Sequence, residues 1–366
     1  MKTFLEKQKN VVLAGPILAT TGFGQGCRNY FEILNSLPNI NLFIFPIKEF
    51  GETIPNNEQS KYLPYTKNIP KQIDLLIIHT HCVISKMEFN DIIQKFKPKK
   101  SLWILLWETD KLPNFAIEKM KLVDYVGASS KFCCNFSYSK PIYHFRYSYN
   151  SKFEKHILKN KVIFYGIGTL DSRKNILQTI KCFNKAFRNE QKVEYWLKIK
   201  TYSENDKNII NNILQIAKTN NSPVVKIINK NNASSDEIKN IHQNGNVFYL
   251  MQHSEGWGLP HVDALLSGNP VIGHSFSALN DYLDEKNGYL VPYYLDKVNK
   301  ETFNLSPWYQ NDVSRWAYFK DNDIINSLRL AYNTYKQKQN VGITKIDLSL
   351  KAAQQDWLRF FQQVNL

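Results

Sequence analysis

Several things that would each have named a class of protein are scarce in this 366-residue chain. There are five cysteines, Cys27, Cys82, Cys133, Cys134 and Cys182, an odd number with no C-x-x-C pair. Neighbouring Cys133 and Cys134 are poorly spaced to share a zinc ion, so neither a disulfide framework nor a metal centre is expected. The thiols read as small buried groups of a reduced, cytosolic protein. No His/Cys/Asp cluster has the spacing of metal ligands. No apolar run reaches the 18 residues of a membrane span. No repeat of short period and no recognised nucleic-acid motif is visible. Acidic residues are also short, with 32 Asp and Glu against 47 Lys and Arg, a formal net charge of +15. Such a surface favours anionic partners: phosphates, nucleic acid or an acidic membrane leaflet.

What is present describes a folded chain. Hydrophobic residues make up 43% and charged residues 22%, a globular balance. At ~100–200 residues per domain the length suggests two. Lys2, Lys7 and Lys9 followed by Val11–Ala19 imitate a signal peptide, but Glu6 and the break at Gly15-Pro16 favour a first β-strand. Val11–Ala14 then runs into Gly22-Phe23-Gly24-Gln25-Gly26, and Cys27, Tyr30, Phe31, Leu34 and Leu37 follow at helical spacing. Strand, glycine loop and helix make one unit of a doubly wound α/β fold. Further strands are read at Asn41–Ile47, Asp74–Ile78, Ser101–Trp107 and Tyr125–Ala128, with a helix over Phe89–Phe96. Continuously apolar strands separated by helices indicate a parallel sheet buried on both faces. Tyr143–Lys161 has no clear period and is taken as the linker. The pattern restarts with strands at Val162–Gly166, Tyr195–Ile199, Val224–Ile228, Val247–Leu250, Pro270–Ile272 and Tyr289–Val291. Gln355–Val364 reads as an amphipathic closing helix.

The segment richest in chemistry is Glu255–Ile272, EGWGLPHVDALLSGNPVI. Gly256 and Gly258 permit a tight turn, and Pro260 suits the start of a helix that ends at Gly268. Free N–H groups near Leu259, aided by the helix dipole, then form an anion site fit for a diphosphate. Glu255 lies before the helix and Asp263 is expected in its first turn. Both can accept hydrogen bonds from sugar or ribose hydroxyls. The same residues would also serve a purely structural turn.

This segment resembles the Glu-x7-Glu signature of retaining glycosyltransferases of family 4, which have the GT-B fold. Asp263 stands where the family has its second Glu. Gly166–Phe183, GIGTLDSRKNILQTIKCF, resembles the family's strand–turn–helix, with Arg173 and Lys174 as the matching cations. Trp107–Ala128 resembles a bacterial subgroup in which ETD-x-(L/I)-P precedes a helix, placing Glu108 and Asp110 on the acceptor side. Thr109 or Asp110 would otherwise cap that helix. Thr21–Leu34 resembles the family's first loop and helix, in which Gly22 and Gly24 would let the backbone approach the donor phosphates. Trp316–Leu330 resembles the subgroup's tryptophan and following helix.

The resemblance implies an N-terminal lobe over 1–150, a nucleotide-sugar lobe over 151–345, and a helix over 346–366 packing back on the first lobe, with a cleft between the two Rossmann-like lobes. It implies retaining, metal-independent transfer of a hexose-type sugar from a UDP- or GDP-linked donor, with no cofactor. The acceptor would be a glycan or lipid-linked glycan in surface polysaccharide synthesis. Arg173, Lys174, Gly256, Gly258 and Leu259 would hold the diphosphate, Glu255 the sugar and Asp263 the ribose. His79, at the end of DLLIIH, would face the donor sugar, with His81 as its competitor. An anionic membrane surface is a further partner the charge permits, the protein then lying on its cytoplasmic face; nucleic acid is not expected. Asp321-Asn322-Asp323 imitates a metal-binding D-x-D string but is read as the cap of a helix over Ile324–Leu330. A nucleotide-sugar 2-epimerase on the same fold and a non-catalytic nucleotide-sugar-binding subunit remain the alternatives.

Overall fold

The computed structural model describes residues 7–48, 52–136, 138, 140–149, 161–201, 206–218, 221–299, 309 and 314–366. Contacts divide the chain into two compact units, and neither is one stretch of chain. The first is Met1–Trp107, Leu112–Asn150 and Asp347–Leu366; the second is Glu108–Lys111 and Ser151–Ile346.

In the first unit β1 (Lys9–Gly15), α1 (Gly22–Asn35), β2 (Ile40–Pro46), α2 (Asn56–Gln59) and β3 (Leu75–His79) are followed by α3 (Lys86–Phe96), β4 (Lys100–Leu105), α4 (Asn114–Met120), β5 (Tyr125–Ala128), α5 (Lys131–Cys134) and β6 (Ile142–His144). The six strands are parallel in the order β2-β1-β3-β4-β5-β6. Burial on both faces explains their composition: Val11–Ala14 and Leu75–Ile78 are wholly buried. The chain order reverses between β1 and β3. At such a switch point the crossovers leave on opposite sides and open a crevice at the strands' carboxyl ends.

Two expectations are corrected here. Gly22, Gly24 and Gly26 lie inside α1 rather than in a loop before it, because Thr21 caps the helix by accepting from the Gly24 amide at 3.0 Å. Gly24 is a glycine because a Cβ there would sit 2.2 Å from the Ala19 carbonyl oxygen. The expected linker also begins later than Tyr143. Residues 142–144 form the edge strand β6, and Phe145 and Tyr147 are buried in the first core. The rest of that stretch, 150–160, lies outside the described residues.

The second unit contains β7 (Val162–Thr169), α6 (Ile176–Ala186), β8 (Val193–Lys200), α7 (Asp206–Ala217), β9 (Val224–Asn229), α8 (Ser235–Asn244), β10 (Val247–Tyr249), α9 (Leu259–Leu266), β11 (Val271–Gly273) and β12 (Gly288–Leu290). Its sheet runs β12-β11-β10-β7-β8-β9, again all parallel, with the switch point between β7 and β10. A two-stranded antiparallel ribbon, β13 (Tyr294–Lys297) with β14 (Arg315–Tyr318), follows, and then α10 (Asp321–Lys338). Asp321 and Asp323 occupy the first turn of α10, and no side chain caps that helix. The capping role expected of the D-x-D string is therefore corrected. The Asp321 carboxylate accepts from Gln178 at 3.0 Å and pairs with Lys185 at 2.8 Å, tying α10 to α6.

The last helix, α11 (Leu350–Gln363), belongs to the first unit and packs on α1. Ser349 caps it, and its buried face is Ala353, Trp357, Phe360 and Phe361. The Trp357 ring lies 4.2 Å from that of Phe145 and edge-on to Tyr30 at 6.0 Å. Asp356 pairs with Arg146 through Oδ2 at 2.6 Å. Trp357 is fully buried, so Trp357→Ala should cost about 3–5 kcal/mol. Urea unfolding followed by circular dichroism checks this; a loss below about 1 kcal/mol would mean that α11 is peripheral to the core.

Candidate active site

The switch point of the second sheet decides which residues meet. The turn after β7 carries Arg173 and Lys174, and the loop after β10 carries Glu255, so side chains 81 residues apart converge at one carboxyl edge. Asn175, in the left-handed region at φ 50°, ends the short turn Ser172–Lys174 and starts α6. The Asp171 carboxylate accepts from the Lys174 amide at 3.3 Å and fixes the turn. Lys174 Nζ donates to Glu255 Oε1, and Arg173 pairs with Glu255 Oε2 at 3.1 Å. Arg173 also donates to the Ser254 carbonyl at 2.7 Å, and its own carbonyl accepts from the His253 amide at 2.7 Å.

Glu255 is held as firmly through its backbone. Its amide donates to Ser277 Oγ at 3.0 Å and its carbonyl accepts from Ala278 at 3.2 Å. Ser277 adopts φ 60°, a left-handed conformation that costs a serine energy and that places its hydroxyl under Glu255. Burial by itself raises the Glu255 carboxyl, but Arg173 and then Lys174 outweigh it and hold Glu255 at about 2. The guanidinium of Arg173 is in turn pushed up: burial opposes its charge, and Glu255 and Glu108 more than compensate.

The helix beside this cluster starts as expected. Gly258 precedes it at φ 84°, and a Cβ there would lie 2.6 Å from Tyr282 Oη, so both conformation and space require glycine. Among the described residues no side chain caps α9, which leaves the Leu259 N–H at its dipole end. One position is corrected. Because the helix begins only at Leu259, Asp263 falls in the second turn and not the first. Its carboxylate is half-buried, accepts no hydrogen bond among the described residues, and is pushed up to about 7 by burial.

Glu108 and Asp110, expected on the acceptor side, both pair with residues of the second unit. Residues 108–111 group with the second unit. Glu108 is buried and approaches Arg173 at 3.6 Å; Tyr309 donates to its Oε2 at 2.9 Å and Trp316 to its carbonyl at 3.0 Å. Thr109 donates to Ser314 Oγ at 3.1 Å, and Asp110 accepts from Arg315 at 2.7 Å through backbone and side chain alike. These groups are committed to β14 and its approach, and they do not cap α4, whose N-cap is Pro113 without a side-chain bond. The β13–β14 ribbon, Tyr309 and Ser277 were not singled out from the sequence. The one available signal was the tryptophan at 316, which stacks on His253 at 5.4 Å with an interplanar angle of 3°.

In the first unit His79 ends β3 and is fully buried. Its Nδ1 lies 3.1 Å from the Ile104 carbonyl. A carbonyl only accepts, so Nδ1 carries the proton and Nε2 keeps its lone pair, 3.5 Å from Tyr147 Oη. Burial lowers the ring to about 4, so it is neutral at physiological pH. Gly26 leaves the room: a Cβ there would stand 2.9 Å from Nε2 and 2.4 Å from Tyr147 Oη. Phe23 covers His79 at 5.6 Å and His81 at 4.9 Å between ring centroids. His81 is half-buried, and its Nδ1 accepts from the Val83 amide. Gly22 is exposed at the start of α1.

Residues 149–303 match the family model for glycosyl transferases, group 1. No curated protein matches the chain. Among solved structures, sucrose-phosphate synthase from Thermosynechococcus elongatus aligns over 98% of this chain and 99% of its own, at 13% identity and a TM-score of 0.65. HepE of Anabaena, in complex with UDP and glucose, aligns over 98% of each chain at 12% identity and a TM-score of 0.59. TarM of S. aureus, in complex with fondaparinux, α-GlcNAc-glycerol and UDP, aligns over 78% of this chain at 14% identity and a TM-score of 0.53. The present chain covers only 55% of TarM. The fold is GT-B, two Rossmann-like units with six-stranded parallel sheets.

The depressed Glu255 carboxyl has a signed consequence. A carboxylate lowered on folding adds stability above its unfolded value and loses it as pH falls toward its folded one. Glu255→Gln should therefore cost roughly 3 kcal/mol near neutral pH, by leaving two buried cations short of an anion. The gap to the parent should shrink as pH falls from about 4.3 toward 2. Urea unfolding near neutrality and near about pH 3 measures it; the same gap at both would show that Glu255 is not ionised in the folded protein.

Proposed function

We propose that the protein is a retaining glycosyltransferase that moves a hexose-type sugar from a UDP- or GDP-linked donor to a glycan acceptor. The observation that carries this reading is the buried cluster of Glu255, Arg173 and Lys174 at the sheet's carboxyl edge, beside the uncapped start of α9. Two cations and a helix N-terminus suit a diphosphate, and a carboxylate kept ionised suits sugar hydroxyls. The family match over 149–303 spans this cluster and supports the same chemistry.

In this reading the diphosphate takes over Lys174 and Arg173 from Glu255, which turns its oxygens to the sugar. The departing diphosphate gathers negative charge, and the two cations neutralise it as a metal ion would elsewhere. The leaving phosphate helps deprotonate the incoming hydroxyl on the same face, so configuration is retained without a protein nucleophile. Asp263, whose carboxylate meets no hydrogen-bond donor among the described residues, would bind the ribose hydroxyls. Neutral His79 would offer Nε2 as an acceptor to a sugar hydroxyl, and the first unit would bind the acceptor. A lipid-linked glycan for surface polysaccharide is the acceptor favoured by the charge of +15, which suits attachment to an anionic leaflet. Among the described residues no helix is long and apolar enough to cross a membrane.

Thermal stabilisation against UDP, GDP, ADP and their sugars is the first test. A ligand at 100 times its Kd adds about 2.7 kcal/mol, and one nucleotide class should stand out. No shift with any of them would overturn the donor site. Lys174→Ala should then lower turnover at least about tenfold, and Glu255→Gln should lower turnover more than nucleotide affinity. An unchanged rate in the first, or the reverse pattern in the second, would remove that residue from the assigned role.

A further inference from the structure

Among the described residues four charged side chains make up the buried cluster: Arg173 and Lys174 against Glu255 and Glu108, each at most 8% exposed. Two cations face two anions, so the cluster is balanced as it stands. A nucleotide-sugar diphosphate brings about two further negative charges, and an uncompensated charge in a dry site costs several kcal/mol. On the donor reading above, something must restore the balance.

The two carboxylates are not equivalent. Glu255 meets both cations, Lys174 by a hydrogen bond and Arg173 at 3.1 Å. Glu108 has, among the described residues, only the far nitrogen of Arg173, at 3.6 Å, and the Tyr309 hydroxyl on Oε2 at 2.9 Å. Among the described residues Arg173 Nε is buried with no hydrogen-bond partner, so the guanidinium has a donor to spare. Burial pushes the Glu108 carboxyl up; Arg173 opposes this, and the charge of Glu255 adds to it. Among the described residues the other charged and titratable groups that face Glu108 are Lys174 and Tyr309; Asp171 bears on Arg173 and Tyr309, and His261 on Glu255. The neighbouring imidazoles resist charging: burial holds His253 at about 4 and His261 at about 3.

We propose that Glu108 takes up one proton from solvent when the donor diphosphate enters, which frees Arg173 from one of its two carboxylate partners to bind the diphosphate. The proton goes to Oε1, the oxygen that faces Arg173, because Oε2 already accepts from Tyr309. Glu108 is a positioning residue: in its ionised form it holds the guanidinium in place, and in its neutral form it lets go. The inference rests on the donor reading and adds a proton to it.

Isothermal titration of the intact protein with UDP-glucose, in buffers of different ionisation enthalpy, counts that proton directly. A nucleotide sugar has no group of its own titrating near neutrality, so uptake belongs to the protein. About one proton should be taken up, and affinity should fall by roughly tenfold per pH unit on the alkaline side. Glu108→Gln, a mimic of the protonated form, should abolish both the uptake and the pH dependence while binding more tightly than the parent at about pH 9. Tyr309→Phe removes a hydrogen bond to the ionised form and should move the midpoint of the dependence upward, and this keeps the test open if the first variant does not fold. Binding without proton uptake would overturn this inference alone. Uptake lost in Asp263→Asn but kept in Glu108→Gln would assign the proton to α9 instead and also overturn it. No binding of UDP-glucose or of any other nucleotide sugar in the thermal panel would overturn the donor reading itself.

Discussion

Glu255 is an anion buried against two cations, and the architecture of the second unit's carboxyl edge follows from that constraint. A lone carboxylate would not stay charged at 6% exposure, nor would a lone guanidinium be placed at 8%. Each is tolerable only because the others are present and because the backbone holds them in register. The turn after β7 and the loop after β10 are therefore bound to each other from both ends: Arg173 donates to the Ser254 carbonyl, and the amide of the preceding residue, His253, donates to the Arg173 carbonyl. The left-handed backbone at Ser277 completes the clamp beneath Glu255. Strain of this kind persists only where the surroundings over-determine it.

The first unit solves a milder version of the same problem. His79 has an uncharged ring at the end of a buried strand, and its tautomer is set by a single carbonyl, that of Ile104. Tyr30 lies edge-on to it and Tyr147 brings its hydroxyl within 3.5 Å of Nε2, while the Tyr30 hydroxyl bonds to the Phe145 carbonyl and to Ser129 Oγ. In both units these buried polar groups lie where the strand order reverses, β1 and β3 in one, β7 and β10 in the other. That is a property of topology, and it explains why residues far apart in the chain arrive together.

Much of this was legible before any coordinates. Apolar runs such as DLLII and SLWILLW mark buried parallel strands, and EGWGLPHVDALLSGNP states its own turn, helix and stop. What was hidden lay in tertiary pairing. Three glycines in five residues read as a loop at 22–26, yet the Thr21 cap and the buried face of Cys27, Tyr30 and Phe31 make them helical. The ribbon of β13 and β14 was not foreseen, since β13 is wholly exposed and has no inward face to set a period. The attachment of Glu108 to the second unit depends on Tyr309 and Trp316, some 200 residues onward, and no local pattern announces a partner at that distance. Asp321 looked like a cap because aspartate before a helix usually is one; here Gln178 and Lys185 claim it.

The interleaving of the two units has a consequence in time. The second unit is complete once residue 346 has been made, because its only early contribution, Glu108–Lys111, is already in hand. The first unit still lacks Asp347–Leu366, and with it Trp357, whose ring packs at a tilt against Phe145, and Asp356, which pairs with Arg146. A chain emerging N-terminus first at about 5–20 residues per second therefore closes its earlier-made unit last. The unit whose strands are made first is the one whose core stays open longer.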